Sequence, residues 1–372
     1  MQIHEVEIEK IISNSCGLGR VNGKAVFVPY AIPGEKVTVT VTDEKNSYLC
    51  GNIKDILLVS PFRVVPACKY YYDCGGCTLG HIDYKMQLDI RKNLIKEAIE
   101  RNGKIVSPEI EVVGGSPYSY RCRAQFHKSQ DSTPGFKKRN SEEIIKIDFC
   151  NICNAGINNF LQSSPLLEKE RVTVFAPDNN FSYDRNLTQN NVIEVKIKER
   201  IIKTDINCFF QSNIQMLEKT IDLIMKFAKG KVFFDLYSGV GVFALFLTEQ
   251  AELVVSVESD KIAAAFAKEN IKSSKAKFSS EKAEKFVLDW KGAIPDTVVL
   301  DPPRTGISIP VRKYLTDKKI KNIIYLSCDY ATFGRDLGFF TEKKYLIKKL
   351  FFLDFYPQTA HAESLAVLEF MG

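Results

Sequence analysis

The sequence has few histidines and no long apolar run. Of its 372 residues only four are histidine, at positions 4, 81, 127 and 361, and this scarcity favours an all-thiolate metal site over a mixed cysteine–histidine site. No stretch approaches the roughly 20 uninterrupted apolar residues that a membrane helix needs. There is no internal repeat and no low-complexity tract. The remaining composition, 45% hydrophobic and 26% charged residues, is typical of a soluble globular protein with a sizeable core.

The charge and the first residues give no strong signal either. The formal net charge is +6 and the isoelectric point is near 8.6, which is compatible with a polyanionic partner but is also common in proteins that bind no nucleic acid. The residues before position 8 alternate and carry acids, unlike a signal or transit peptide. We therefore expect a cytoplasmic protein with no membrane association and no obligate protein partner.

The length predicts two or three domains. Residues 1–58 hold short strands separated by turns, and Lys36–Thr42 alternates valine with charged or hydroxyl residues, the period of a half-buried strand. This spacing predicts a small β-barrel of the oligonucleotide-binding (OB) type. Residues 59–206 predict a central α+β domain that contains a helix from Tyr84 to Arg101. Strands of this domain are expected around residue 124 and over residues 144–147 and 192–202.

From residue 207 to residue 372 strands and helices alternate. Four short apolar runs have the character of buried strands: residues 232–236, 253–258, 297–300 and 322–326. Helical stretches lie between these runs. This alternation predicts a Rossmann-like α/β domain with a parallel, doubly wound sheet.

A glycine loop follows the first of these strands. Gly239 and Gly241 lie between the strand and the helix expected from Val242, where glycine lets the backbone approach a ligand at the helix N-terminus. Glu258 ends the next strand, where a carboxylate can accept both ribose hydroxyls. The pattern also satisfies the nicotinamide-dinucleotide fingerprint. Asp235 favours the cationic methionine moiety of S-adenosylmethionine over a pyrophosphate, so a dinucleotide oxidoreductase is the less favoured enzyme class.

Four chemistry-bearing residues follow strands of this domain: Asp235, Glu258, Asp301 and Cys328. Because residues just past the carboxyl ends of parallel strands meet at the ligand crevice, we expect these side chains to converge. Carbon 5 of uracil accepts a methyl group only after a thiolate has added to carbon 6, and a base must then remove the carbon 5 proton. Cys328 and Glu363 have the chemistry for these two roles.

The ten cysteines include a cluster with the spacing of a metal site. Cys68, Cys74 and Cys77 are separated by five and two residues, with glycines in the short gap, so one loop could wrap a metal. A fourth thiolate must come from elsewhere, and Cys150 or Cys153 could supply it. Four thiolates suit an iron–sulfur cluster and zinc equally well.

Two basic segments interleaved with aromatic residues are candidates for RNA backbone contacts: residues 120–123 and residues 135–139. A solvated basic loop is the alternative for each of them.

The motifs together resemble the class I RNA 5-methyluridine methyltransferases, which modify 23S rRNA and the T-loop of tRNA. The resemblance is carried by the barrel, which resembles a TRAM domain, and by the cysteine cluster, Phe210–Asn213, the glycine loop, Asp301–Arg304, Ser327–Cys328 and His361–Glu363. It implies that Cys328 is the nucleophile and Glu363 the proton acceptor. It also implies that the methyl donor, S-adenosylmethionine, contacts Gln211, Tyr237, Glu258 and Asp301.

The same resemblance implies a [4Fe-4S] cluster held by Cys68, Cys74, Cys77 and Cys150, and it favours 23S rRNA over tRNA as the substrate. Two positions depart from the family pattern. Val242 stands where many members have a polar residue, and Asp329 follows the nucleophile where asparagine is usual. A negative charge at Asp329 would tend to raise the pKa of the thiol. A catalytically silent RNA-binding protein is the rival from another class, and the presence of Cys328, Glu363 and Asp301 speaks against it.

Overall fold

The computed structural model describes residues 2–184 and 191–372. The chain divides into two compact units. The first comprises the residues up to Leu94, Phe136–Ile145 and Tyr356–His361, and the second comprises Ile95–Gly135, Lys146–Phe355 and Ala362–Gly372. Among the described helices, none has the length and the apolar character to cross a membrane. The three predicted domains remain a prediction.

The first unit begins with a closed five-stranded barrel whose strands have the order β1-β2-β3-β5-β4. The strands are β1 (Ile3–Ile11), β2 (Cys16–Val21), β3 (Lys24–Pro29), β4 (Lys36–Glu44) and β5 (Tyr48–Leu58). Val37 and Val39 of β4 are fully buried in the barrel core, while Thr38 between them faces outward to Asp55. The alternation that the sequence shows therefore separates core from surface, and the predicted barrel is confirmed.

A loop with three of the cysteines follows the barrel in the first unit. It packs on residues 136–145 through a hydrogen bond from the Gly75 amide to the Lys137 carbonyl, 3.0 Å long. A Cβ at Gly75 would lie 3.2 Å from that carbonyl oxygen, so glycine permits the close approach. Helix α1 (Tyr84–Gly103) follows, which confirms the predicted helix and extends it by two residues. Its first residues, up to Leu94, belong to the first unit.

The second unit contains a small sheet with the order β11-β10-β7-β8-β9 and a separate hairpin of β12 and β13. The elements of this region are β6 (Glu111–Val113), β7 (Arg123–Lys128), β8 (Pro134–Lys137), β9 (Ile144–Lys146), α2 (Ala155–Gln162), β10 (Arg171–Phe175), β11 (Ser182–Tyr183), β12 (Val192–Ile197) and β13 (Arg200–Asp205). The strands expected near residues 124 and 144–147 are confirmed. Residues 192–202 form two strands rather than one, because the chain turns at Lys198 with φ +51°.

The larger sheet of the second unit has eight strands in the order β16-β15-β14-β17-β18-β20-β19-β6. Its elements are α3 (Ile214–Phe227), β14 (Val232–Leu236), α4 (Val242–Leu247), β15 (Leu253–Val257), α5 (Lys261–Asn270), β16 (Ala276–Ser279), α6 (Ala283–Asp289), β17 (Thr297–Leu300), α7 (Ile309–Asp317), β18 (Asn322–Ser327), α8 (Tyr330–Glu342), β19 (Tyr345–Leu353) and β20 (Glu363–Phe370). Strands β17 and β18 are buried along their whole length, as is usual for parallel strands covered on both faces.

The predicted parallel sheet is found in five neighbouring strands, and the structure departs from it at β20. β14, β15, β16, β17 and β18 are parallel, but β20 runs antiparallel to both β18 and β19. The apolar sequences of β19 and β20 do not indicate whether the strands run parallel or antiparallel. The path of the chain between the two strands sets their direction. This reversal places the first residue of β20 at the same edge as the last residue of β18.

Candidate active site

Five neighbouring strands bring their functional residues to one edge of the large sheet. Glu258 follows β15, Asp301 follows β17 and Cys328 follows β18, while Asp235 is the second-to-last residue of β14. The antiparallel β20 starts with Glu363 at the same edge. The strands β15, β14, β17, β18 and β20 are consecutive in the sheet. These residues therefore lie along the same edge of neighbouring strands, as expected.

The glycine loop between β14 and α4 shapes one side of this edge. Tyr237, Gly239 and Gly241 all have positive φ, at 66°, 55° and 82°. A Cβ at Gly241 would lie 2.8 Å from Ile271, so the turn needs glycine there, whereas a Cβ at Gly239 would meet nothing within 4 Å. The Gly239 amide donates to Glu258 Oε2 over 2.9 Å. The loop therefore leaves open space beside Gly239 and holds the Glu258 carboxylate next to it.

The residues expected to contact a methyl donor include two buried acceptor atoms that lack a hydrogen-bond partner within the described residues. One is Gln211 Oε1 and the other is Asp235 Oδ1. The second oxygen of Asp235 accepts from the Ala244 amide over 2.9 Å. A buried acceptor without a partner is costly, by about 1–3 kcal/mol, and a ligand ammonium group would satisfy it. These atoms, the space beside Gly239 and the half-buried Glu258 carboxylate fit a ligand with an ammonium group and ribose hydroxyls.

Strand β13, which precedes Gln211 in the chain, is joined to the glycine loop. Gln211 lies between β13 and α3, just before Asn213, whose side chain caps α3 by accepting from the Met216 amide. The Asn270 side-chain amide donates to the carbonyl oxygens of Lys203 in β13 and Val240 in the glycine loop, both over 2.9 Å. This shared donor fixes the end of the hairpin to the loop.

Burial raises the pKa values of three acids at this edge of the sheet. Desolvation, together with the charges of Asp301 and Glu258, raises the pKa of Asp235 to about 8, against the effect of the hydrogen bond from the Ala244 amide. Burial likewise raises the pKa of Asp301 to about 7. Burial and the charge of Asp301 raise the pKa of Glu363, which is 1% exposed, well above its ordinary value. An acidic edge of this kind favours a cationic ligand, because a positive charge compensates the desolvated carboxylates.

Cys328 lies directly beside Glu363. The register of β18 and β20 pairs Ser327 with Ser364, so the next residues across the strands are Cys328 and Glu363. Side chains opposite each other in an antiparallel pair have Cβ atoms roughly 4.5–5.5 Å apart. Burial, then the charges of Glu363 and Asp301, raise the pKa of the half-buried Cys328 thiol to about 11, while Arg304 lowers it. A nucleophile and a carboxylate are thus adjacent at this edge.

Asp329 does not act as the sequence suggested. Its carboxylate accepts from the Thr332 amide over 2.8 Å and caps α8. The carboxylates that raise the pKa of the thiol are Glu363 and Asp301. Capping directs Asp329 into the helix N-terminus, whose own dipole favours a thiolate just before it.

Two participants had no role in the sequence prediction. Arg304 is the cation that acts on the Cys328 thiol. Ser308 lies against the Tyr237 hydroxyl and lowers its pKa, although burial has the larger effect and raises that pKa to about 12. Arg304 was visible in the sequence as part of the segment after β17. Ser308 carried no sequence signal, because only the fold brings the start of α7 beside the glycine loop.

Comparison with known proteins gives this arrangement a family. A family model described as the TRAM domain matches residues 2–54, and a model described as tRNA (Uracil-5-)-methyltransferase matches residues 288–370. An uncharacterized RNA methyltransferase of Treponema denticola is 35% identical over 99% of this chain and 99% of that protein. A second, from Aquifex aeolicus, is 30% identical over 98% of each. The chain belongs to the RNA methyltransferase family of these two relatives.

A solved structure of similar fold supports the architecture of this RNA methyltransferase family member. The Pyrococcus abyssi tRNA (uracil-54, C5)-methyltransferase, in complex with S-adenosyl-L-homocysteine, superposes with a TM-score of 0.73 over 98% of this chain and 100% of that chain. At 22% identity the likeness concerns the fold. The predicted combination of a TRAM-type barrel with a Rossmann-like methyltransferase domain is confirmed.

The cysteines of this family member do not form a metal site in the structure. All ten lie within the described residues and none is in a disulfide. In the described ranges, no three cysteine, histidine or carboxylate side chains are grouped to hold a metal ion. Cys68, Cys74 and Cys77 belong to the first unit and Cys150 to the second. The donor chemistry of these four thiols suits a cluster.

Cys150 and Cys153 are neighbours in the second unit. A hydrogen bond with Cys153 lowers the pKa of Cys150 to about 6, against the effect of burial. The Cys150 amide and carbonyl are both held by the Asn158 side chain, over 2.8 and 3.1 Å. The structure therefore keeps both thiols together.

The two basic segments are largely engaged within the protein. Arg123 is half-buried and donates to the Ile206 carbonyl over 3.1 Å. Arg139 donates to the Cys77 carbonyl and lies over the ring of Tyr30, 4.9 Å from its centroid. The neighbouring lysines at positions 137 and 138 pair with exposed glutamates, contacts that are weak in water. The lysines are therefore the members of these segments that an RNA backbone could recruit most easily.

Proposed function

We propose that this protein methylates carbon 5 of a uridine in RNA, with S-adenosylmethionine as the methyl donor and Cys328 as the covalent nucleophile. One observation carries the proposal: Cys328 and Glu363 flank the last residue pair of β18 and β20, Ser327 and Ser364, at the sheet edge that also holds Asp235, Glu258 and Asp301. The reaction needs a thiolate, a base and a cationic methyl donor in one place. At this edge Cys328 is the thiol, Glu363 is the base, and the other acids can bind the cationic donor.

The donor supplies a methyl group bound to a sulfonium, which is electrophilic. In the proposed arrangement, Glu258 accepts hydrogen bonds from the ribose hydroxyls, and Gln211 Oε1 and Asp235 Oδ1 are the buried acceptors for the ammonium group. Tyr237 and Asp301 complete the set of contacts. Since the acids are desolvated, the positive charge of the donor favours their ionised forms.

The thiol must lose its proton as it reacts, because its pKa is raised to about 11. We assign that proton to a carboxylate of the site or to water. The sulfur electron pair forms the bond to carbon 6, and the electrons of the 5,6 double bond move onto the carbonyl oxygen at carbon 4. Arg304 favours the anionic sulfur.

The enolate then returns its electrons through carbon 5, which forms the bond to the methyl carbon as the sulfonium carbon–sulfur bond breaks. S-Adenosylhomocysteine is the neutral product. Glu363 removes the proton from carbon 5, the 5,6 double bond re-forms, and the Cys328 thiolate leaves and is protonated again. Overall, a uridine and the sulfonium donor become 5-methyluridine, S-adenosylhomocysteine and a proton. The raised pKa of Glu363 makes its ionised form a strong base for this step.

For the RNA we propose 23S rRNA, which the resemblance of barrel and cysteine cluster favours. One observation favours tRNA as the alternative: the family model over residues 288–370 is described as a tRNA methyltransferase. Mass-spectrometric mapping of 5-methyluridine in rRNA and tRNA from cells with and without the gene separates the two. Loss of 5-methyluridine from neither RNA would reject the proposed function.

We also propose Cys68, Cys74, Cys77 and Cys150 as ligands of a [4Fe-4S] cluster, on the resemblance alone. No step of the reaction uses such a group. Iron and sulfide analysis of anaerobically purified protein tests this, and zinc in place of iron would reject it.

A further inference from the structure

The barrel of the first unit contains a cavity of about 570 Å³ beside strands β2, β3 and β5. Its wall includes two aromatic rings, Phe27 and Tyr48, whose centroids are 5.4 Å apart with planes tilted by 53°. Both side chains are only half-buried. The volume lies within the roughly 300–1,000 Å³ of small-molecule sites. A planar group could therefore stack on an aromatic wall that the barrel core does not cover.

The polar part of the wall consists of neutral groups. Asn14, Asn52 and Asn140 supply side-chain amides, and no lysine, arginine, histidine or carboxylate lines the cavity. Asn14 Oδ1 already accepts from the Cys16 amide over 3.1 Å. The amides of Asn52 and Asn140 make no hydrogen bond to any described residue, so their donors and acceptors are available. Each amide offers two donors and one acceptor.

The wall also includes two thiols. Cys16 and Cys50 both line the cavity. Burial, then the proximity of Cys50, raise the pKa of Cys16 above its ordinary value, so the thiol keeps its proton at neutral pH. The charge of Arg139 acts on Cys16 from beyond the wall. The cavity is thus uncharged inside, with a cation within electrostatic reach.

We propose that this cavity binds one unstacked base of the RNA substrate, other than the uridine that is methylated. A nucleobase is planar, neutral and edged with donors and acceptors, which matches two aromatic rings and three amides. A phosphate or another anion would find no cation in the wall, and an aliphatic ligand would leave the amides unsatisfied. Proteins that bind single-stranded RNA combine stacking on aromatic rings with hydrogen bonds to base edges. The proposal rests on the proposed function in taking RNA as the ligand.

The test measures RNA affinity in variants of the full-length protein. Tyr48→Leu and Phe27→Leu keep apolar volume but remove the ring, and Asn52→Ala removes an exposed amide. We expect each to weaken binding of transcribed 23S rRNA or tRNA fragments about 5- to 20-fold, since loss of one stacked base typically has an effect of this order. Asn46→Ala is the matched control, because Asn46 is an exposed amide in the β4–β5 turn outside the cavity.

Cross-linking identifies the occupant. RNA that carries 4-thiouridine should cross-link to peptides from β3 or β5 in the wild type and lose this cross-link in Tyr48→Leu. Free adenosine or uridine that competed as strongly as RNA would overturn the proposal in favour of a small-metabolite site. Unchanged RNA affinity in Asn52→Ala and in a folded Tyr48→Leu variant would also overturn it.

The two proposals fail separately. If the protein forms no 5-methyluridine but Tyr48→Leu still loses RNA affinity, the proposed function is wrong and the base-binding cavity stands. If methylation proceeds with unchanged RNA affinity in the cavity variants, only the cavity proposal is wrong. Thermal unfolding of each variant distinguishes loss of the site from loss of the barrel.

Discussion

Replacement of Glu363 by glutamine tests the order of steps at the active site. Glutamine keeps the shape of this buried side chain and one hydrogen bond but removes its basicity. Methyl transfer precedes the step that needs the base, so it should still occur. Elimination of Cys328 should stall, and a methylated protein–RNA adduct should accumulate.

The magnitude follows from the position of Glu363. At 1% exposure it is shielded from bulk water, so solvent cannot readily replace it as the base. Removal of a positioned base typically slows a reaction about 10²–10⁴-fold, and we expect this loss in steady-state turnover. The first half of the reaction should not suffer, because the charge of Glu363 is one of the causes that raise the pKa of the Cys328 thiol. Without that charge the thiolate forms more easily.

The assay uses RNA with tritium on carbon 5 of uridine and a donor with a labelled methyl group. In a single turnover, Glu363→Gln should incorporate the methyl label at a rate near the wild-type rate, retain the tritium, and give an RNA adduct stable on denaturing gels. The double variant with Cys328→Ala should form no adduct, since the link runs through that sulfur.

The control is Glu369→Gln on the same strand. Glu369 lies near the other end of β20, where Lys229 holds its pKa below the ordinary value, and its loss should leave turnover unchanged. Normal turnover by Glu363→Gln, or tritium release without an adduct, would refute the assignment of the base. Asp301 would then be the next carboxylate of this edge to test.

Three further predictions concern the active site and the cysteine loop of the first unit. Cys328→Ala should abolish methylation yet bind S-adenosylmethionine with unchanged affinity in calorimetry; appreciable turnover would reject covalent catalysis. Donor affinity should rise between pH 6 and pH 8 and then level off, by up to about tenfold per pH unit for each titrating acid. The reason is that the donor cation binds the ionised forms of two acids, whose pKa values burial raises to about 7 and about 8. Asp235→Asn should flatten this dependence of affinity on pH, and equal slopes in both proteins would contradict the prediction. Cys74→Ser or Cys77→Ser should remove the visible absorbance and most of the iron of anaerobically purified protein, whereas Cys208→Ala should retain both; unchanged iron in the first two would reject them as ligands.

Local chemistry explains why much of the fold could be predicted from the sequence. The alternation of Lys36–Thr42 and the helical period after Tyr84 depend on neighbours within a few residues, so the barrel strand and α1 were predictable. The glycines at positions 239 and 241 mark a backbone conformation that few other residues adopt. Placement of Asp301 and Cys328 after strands followed from the general geometry of parallel sheets.

Strand direction lay beyond local pattern. Nothing in residues 363–370 shows that this segment returns antiparallel beside β18, yet that return places Glu363 across from Cys328. The pairing connects Ser327 with Ser364, 37 positions later in the chain, and is decided by packing of the whole sheet. In the same way, only the fold reveals that the side chain of Asp329 caps α8 and that Ser308 lies against Tyr237.

The sequence by itself determined which side chains could do the chemistry, because a thiol, a carboxylate or a glycine loop has its properties wherever it lies. The tertiary structure decided their environment. Burial raises the pKa values of Asp235, Asp301 and Cys328 because desolvation depends on all the surrounding chain. The fold also places the loop cysteines and Cys150 in different units, and it gathers Phe27 of β3, Tyr48 and Asn52 of β5, and the amides of Asn14 and Asn140 around one cavity. The sequence therefore identifies candidate residues, and long-range packing brings them together into a site.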